Sequence, residues 1–184
     1  LTSMGKGWER ILPALHRYLD RAGARLAFNP GTHQIRSGRT VLKPLLARAS
    51  CLMVNREEAA TILGTKPSVQ LVRLLRGLAE LGPETVVVTD GPDGSYALHE
   101  KDAWFVPAFP IPATERTGAG DAFGTGFLAA MLYGAGVAEA QRWGTLNAGS
   151  VIQYIGPQAG LLTLAGMRKM LKKYPKLVAR RLRE

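Results

Sequence analysis

The chain has 184 residues, of which 46% are hydrophobic and 21% charged, so it reads as a soluble globular chain with one domain over residues 1–184 and a core of its own. Its 24 basic and 14 acidic side chains leave a formal charge of +10, which favours polyanions or small anionic ligands without choosing between them. No window approaches the roughly 18 apolar residues of a membrane-spanning helix, and the lone Cys51 excludes a disulfide within the chain. Set in the apolar run ASCLMVN, Cys51 reads as a packing residue in a reducing, cytoplasmic compartment. The first residues, LTSMG, have no charged and hydrophobic leader pattern and no Met at position 1. They read as the end of a strand passing into a loop, so a chain that begins inside a larger fold is expected.

From the N-terminus, Trp8, Ile11, Leu12, Leu15 and Leu19 recur at helical spacing, and ARLAFNPG follows as a short strand stopped by a Pro-Gly turn. VLKPLLARA predicts a short helix interrupted by Pro44, CLMVN a buried strand, and REEAATILG a helix closed by Gly64. SVQLVRLLRGLAELG is a further helix, ending at Gly82. ETVVVTDGPDGSYALHE then reads as two strands around a Gly-Pro-Asp-Gly turn, the one hairpin the pattern predicts. AWFVPAFPIPA is extended, because Pro107, Pro110 and Pro112 exclude a helix interior. GAGDAFGTGFLAAMLYG and VAEAQRWGTLNAGSVIQYIG read as buried helices rich in small residues, and TLAGMRKMLKKY as an amphipathic helix with a basic outer face. Strands alternating with helices predict an α/β layered fold with a largely parallel core sheet and antiparallel strands near an edge. Ligands in such sheets sit beyond the carboxyl ends of the strands.

Four segments follow extended structure in that way: FNPG at 28–31, VNREE at 54–58, VTDGPDG at 88–94 and TGAGD at 117–121. In the last, Gly118 and Gly120 let the backbone approach a ligand, and the free N–H groups of the starting helix form a cradle for an anion such as phosphate. Asp121 lies at the same positive helix end, a carboxylate able to take a proton from an alcohol beside the cradle. The alternative is that Asp121 caps the helix and the glycines serve packing. No Gly-Lys-Ser or Gly-Lys-Thr follows, and the spacing is not the dinucleotide fingerprint.

TGAGDAFGTGF, with VNREEAATILG and VVVTDGPDGSYAL upstream in the right order, resembles the ribokinase-like (PfkB) family of carbohydrate and nucleoside kinases. The resemblance covers nearly the whole chain. It implies a three-layer α/β/α fold with a largely parallel central sheet, and transfer of a phosphoryl group from ATP, with Mg²⁺, to a hydroxyl of a sugar, sugar derivative or nucleoside. By this likeness Asp121 is the catalytic base and the amides of Gly118, Ala119 and Gly120 form the anion hole. Asn55 and Glu58 match an Asn-x-x-Glu element that helps place Mg²⁺, usually through water; alone they read equally as a helix cap closed by Glu58. Thr89, Gly91 and Gly94 match the nucleotide-side turn, and Asn147 falls where the family lines its adenine pocket.

The chain also departs from this pattern. Glu115 and Arg116 stand where the family has an Asp and a small residue; that Asp often contributes to a monovalent-cation site, so the pair counts against K⁺ activation. Arg116 reads as facing solvent or as offsetting phosphate charge. The family's sugar-binding half and small β lid, through which a homodimer often forms, precede the region matched here and are absent from this sequence. His16, His33 and His99 lack metal-ligand spacing. The basic run MRKMLKKYPKLVARRLRE reads as a solvated helix face and tail, and neither a nucleic acid nor a membrane is expected as partner. Besides an ATP-dependent kinase, a non-catalytic nucleotide-binding or scaffold relative of the same fold stays open, as does, last in rank, a basic anion-binding module.

Overall fold

The computed structural model describes residues 1–182. The chain divides into two compact units. One comprises Leu1–Val88 and Leu98–Glu100, the other Thr89–Ala97 and the residues from Lys101 onward.

The first unit opens with a single 3-10 turn, Trp8–Ile11, and then α1 (Leu12–Ala22), β1 (Leu26–Phe28), α2 (Thr32–Arg36) and α3 (Arg39–Leu46). It continues through β2 (Ala49–Asn55), α4 (Arg56–Leu63), α5 (Leu71–Ala79) and all but the last residue of β3 (Thr85–Thr89). β1 and β2 pair in parallel, Phe28 against Leu52. Residues 49–54 of β2 are all buried, which is why the segment reads as a continuous apolar run rather than an alternating one. Cys51 lies in that run, and burial pushes its thiol up to about 12, so it is a packing group.

Two elements differ from the sequence reading. Pro44 lies inside α3 without interrupting it. Leu42, Leu45 and Leu46 share the helix face toward the core and are fully buried. Burying three such side chains gains about 1.5–3 kcal/mol each, more than the roughly 3 kcal/mol an interior proline costs. Helix α2 was not predicted; it is one short turn started by Gly31, whose amide donates to the buried Gln34 Oε1 at 2.7 Å, with Met4 N donating to the same oxygen at 3.2 Å. At the outer side of β1, Leu1 N donates to Ala27 O at 2.8 Å and Leu1 O accepts from Asn29 N at 2.9 Å. That is the bond pattern of a parallel strand partner, although residues 1–5 form no strand.

The second unit contains the turn after β3, most of β4 (Ser95–His99), β5 (Asp102–Val106), α6 (Ala119–Leu132), α7 (Val137–Val151), α8 (Leu164–Lys173) and β6 (Arg180–Arg181). β5 ends one residue before Pro107, where the proline ladder begins. A second reversal, between β4 and β5, turns on Glu100 with φ of 54° and carries none of the Gly or Asn signals that would have announced it. The basic tail is more ordered than a solvated run. Arg180 and Arg181 pair antiparallel with Phe105 and Trp104, and Arg181 forms an ion pair with Asp102.

Val106, Phe109, Leu146, Met167 and Leu177 make the core beneath α7 and α8, with the Phe109 and Tyr174 rings edge to face at 4.8 Å. Arg142 on α7 closes the end of α8 by donating through Nη2 to Leu171 O at 2.9 Å and Tyr174 O at 3.2 Å. α6 and α7 lie backbone to backbone. A Cβ on Gly126 would stand 2.9 Å from both Asn147 Cβ and Trp143 O, and one on Gly144 would stand 2.9 Å from Phe123 O. The obstructing atoms belong to helix backbones or a rigid Cβ, so Gly126→Ala must push the helices apart. It should lower stability by about 1–3 kcal/mol in denaturant unfolding, and an unchanged midpoint would show that the pair has room to spare.

Candidate active site

Helix α6 begins at Gly118, the residue before its first turn, with φ of 81°. A side chain is excluded there twice over: the left-handed backbone disfavours one, and a Cβ would sit 2.7 Å from Pro157 Cβ and 2.8 Å from its Cα. Gly120 is different. Its φ is not in the left-handed region, and a Cβ there would meet no atom within 4 Å. Packing therefore requires Gly118 but not Gly120.

The first-turn amides are likewise unequal. Ala119 N donates to Arg116 O at 3.2 Å and Ala122 N to Gly118 O at 2.9 Å, while the amides of Gly118, Gly120 and Asp121 have no backbone acceptor among the described residues. Two of the three expected anion-hole amides, Gly118 and Gly120, are thus unengaged, and Ala119's is held by a long turn bond. Asp121 is exposed. Its backbone oxygen accepts from Thr125 Oγ1 at 2.7 Å, but no group among the described residues bonds to its carboxylate. The helix start carries no side-chain cap bond, so capping does not account for this acid.

Asn147 is buried with both ends of its amide engaged: Nδ2 donates to Ala122 O at 2.8 Å and Oδ1 accepts from Leu162 N at 2.9 Å. It fastens α7 to the residue after Asp121. Thr89 ends β3, and the turn beyond it is closed by Asp90 N donating to Gly94 O at 2.8 Å. Gly91 has φ of 53° with open space around it, whereas Gly94, at φ of 99°, would bring a Cβ within 2.4 Å of Val106 O. Gly94 is thus needed to let the turn lie on β5, and Gly91 to make the bend.

Asn55 and Glu58 belong to the first unit, at the junction of β2 and α4. Their bonds are reciprocal: Asn55 Oδ1 accepts from Glu58 N at 2.8 Å, and Glu58 Oε2 accepts from Asn55 N at 2.9 Å. This is a complete capping box. Burial raises the Glu58 carboxyl above its usual range, partly opposed by the Asn55 amide and helped by the Glu57 charge. Among the described residues no group of three His, Cys, Asp or Glu side chains is gathered as a metal cluster.

The sequence reading did not single out the loop after α7. It ran that helix on to Gly156, but α7 ends at Val151, and the chain then bends so that Pro157 rests on Gly118. The Gly156-Pro157 pair was the available signal.

The fold is that of the ribokinase-like α/β proteins. Ribokinase from Thermotoga maritima superposes with a TM-score of 0.72 over 85% of this chain and 52% of its own, at 22% identity. The chain belongs to the pfkB family of carbohydrate kinases, whose sequence pattern matches residues 15–164. A nucleoside kinase of Methanothermobacter thermautotrophicus is 31% identical over 139 residues, which are 76% of this chain and 43% of that protein. A fructokinase of Klebsiella pneumoniae is 34% identical over 121 residues, 61% of this chain and 38% of that protein. The chain therefore spans about two-fifths of these relatives' length. No helix among the described residues is long and apolar enough to cross a membrane.

The half-buried Glu58 carboxyl gives a pH test. With its value raised, the folded state prefers the protonated form. That contribution is full below the ordinary glutamate value of about 4.3 and is lost as pH rises through the raised one. Glu58→Gln keeps an acceptor for the Asn55 amide but cannot ionise. Its stability relative to the parent chain should rise from about pH 4 to about pH 8 in denaturant titrations; a flat difference would contradict the assignment.

Proposed function

We propose that this chain is the nucleotide-binding and catalytic portion of an ATP-dependent kinase that phosphorylates a hydroxyl of a sugar, sugar derivative or nucleoside. The observation that carries the reading is the entrance of α6. There an exposed, unbonded Asp121 carboxylate stands in the same helical turn as the unengaged amides of Gly118 and Gly120. The names of the matched relatives span a nucleoside kinase and a fructokinase, which supports the class of substrate and no narrower choice.

In this reading Asp121 takes the proton of the acceptor hydroxyl as its oxygen bonds to the γ-phosphorus and the bond to the ADP oxygen breaks. Charge gathering on the transferring oxygens is met by the Gly118 and Gly120 amides and the positive end of α6. Ala119 joins them by releasing or sharing its long bond to Arg116 O. The Gly91–Gly94 turn serves the nucleotide, and Asn147 acts indirectly, by fixing where α6 begins.

The oxygen donors of Asn55 and Glu58 fit Mg²⁺, which prefers oxygen ligands and retains waters. Because Asn55 Oδ1 and Glu58 Oε2 already serve the capping box, the contact is proposed to run through water, from Glu58 Oε1. When bound, the ion supplies charge neutralisation at the phosphates. No K⁺ requirement is proposed, because the Glu115 carboxylate is occupied by a protein donor, Gly156 N. A homodimer through an N-terminal lid stays a proposal for the full-length protein.

Two variants of the full-length protein test this reading together. Asp121→Asn should retain ATP binding by calorimetry while kcat falls about 10²- to 10⁴-fold. Gly120→Ala should unfold at the parent temperature, since its Cβ meets nothing, yet lose roughly tenfold or more in kcat/KM for ATP. Near-normal turnover by Asp121→Asn overturns the base. Tight ATP binding by the parent protein with no turnover across sugars and nucleosides favours the non-catalytic relative instead.

A further inference from the structure

We propose that Glu115 is a positioning residue, tying the entrance of α6 to the loop after α7 so that the Gly118 and Gly120 amides keep their aim during phosphoryl transfer. The proposal rests on the reading of that entrance as the phosphoryl-transfer site.

Between the end of β5 and the start of α6 the chain has no ladder or helix of its own. What holds its last part is a set of contacts with the residues after α7. Thr114 N and Glu115 N both donate to Ile152 O, at 2.7 and 3.2 Å. Glu115 Oε2 accepts from Gly156 N at 2.8 Å. Pro157 then lies close enough to Gly118 to exclude a side chain there. The contacts run in order along both segments, 152 to 114 and 115, 156 to 115, 157 to 118, and among the described residues the Glu115 carboxylate supplies the side-chain bond between them.

A charged acceptor makes this bond stronger than one between neutral groups. The Thr117 side chain, and after it the Gly156 amide, hold the Glu115 carboxyl below its usual range, so the tie persists throughout neutral pH. Arg116, next in the chain, is exposed and contributes its backbone oxygen to the turn rather than its charge to the tie.

The test is steady-state kinetics on the full-length protein with Glu115→Ala and Glu115→Gln, alongside Asp121→Asn. Loss of aim should raise KM for ATP and lower kcat, so that kcat/KM falls roughly 10- to 100-fold in Glu115→Ala, while the unfolding temperature moves by no more than a few degrees. Glu115→Gln, which keeps an acceptor for the Gly156 amide, should recover most of the loss. If Glu115→Ala does not fold, Glu115→Asp takes its place with the same expected loss. Parent-like kinetics in the alanine variant, or a glutamine variant no better than alanine, overturns the tie. An active Asp121→Asn fails the underlying reading whatever Glu115 does. An inactive Asp121→Asn beside an unaffected Glu115→Ala fails the tie alone.

Discussion

The close approach of α6 and α7 is the constraint on which the candidate site depends. Gly126 and Gly144 remove the side chains that would keep the helices apart, and Asn147 spans the remaining gap to bond Ala122 O. The bonded carbonyl belongs to the residue after Asp121, so the first turn of α6 is positioned by a buried amide and by Pro157. A helix entrance held in this way needs little reorganisation when charge develops beside it, which is what electrostatic stabilisation of a transferring phosphoryl group asks of a protein. The glycine-rich sequence of the region thus divides by duty. Gly118, Gly126 and Gly144 answer steric demands inside the protein, and Gly120 answers none.

Much of this was legible in the sequence because its signals are local. The positive-φ glycine and the apolar run behind it mark the start of α6, and Asn55 followed by Glu58 marks the cap of α4, with both bonds made. The strands of the buried type declare themselves as β-branched or apolar runs. Failures came where long-range packing decides. Pro44 stays helical because three leucines on one face outweigh it. Glu100 turns the chain without a Gly or Asn, and the basic C-terminal arginines find a partner strand far upstream, Arg180 against Phe105 and Arg181 against Trp104, within reach only through the fold. Asn147 also donates one bond to Ala122 O and accepts one from Leu162 N, and nothing in the helix VAEAQRWGTLNAGSV discloses this, because its partners lie on other elements.

Charge illustrates the same division between composition and placement. A formal +10 suggests an anionic ligand in general terms. At the entrance of α6, however, the charged residues beside the glycines in the chain are two acids, Glu115 and Asp121, and one base, Arg116. In the proposed reading the anion is met there by backbone amides and the helix dipole rather than by lysines. That reading leaves the Asp121 carboxylate free to take a proton, while the Glu115 carboxylate is turned to the Gly156 amide.

The most direct test of the central claim is a crystal structure of the full-length protein with ADP, Mg²⁺, a planar phosphoryl mimic such as aluminium fluoride, and a phosphorylatable sugar or nucleoside. The account predicts the mimic's equatorial atoms on the amides of Gly118 and Gly120, and the acceptor hydroxyl within about 3 Å of the Asp121 carboxylate. A mimic seated away from the α6 entrance, with Asp121 turned to solvent, would contradict it.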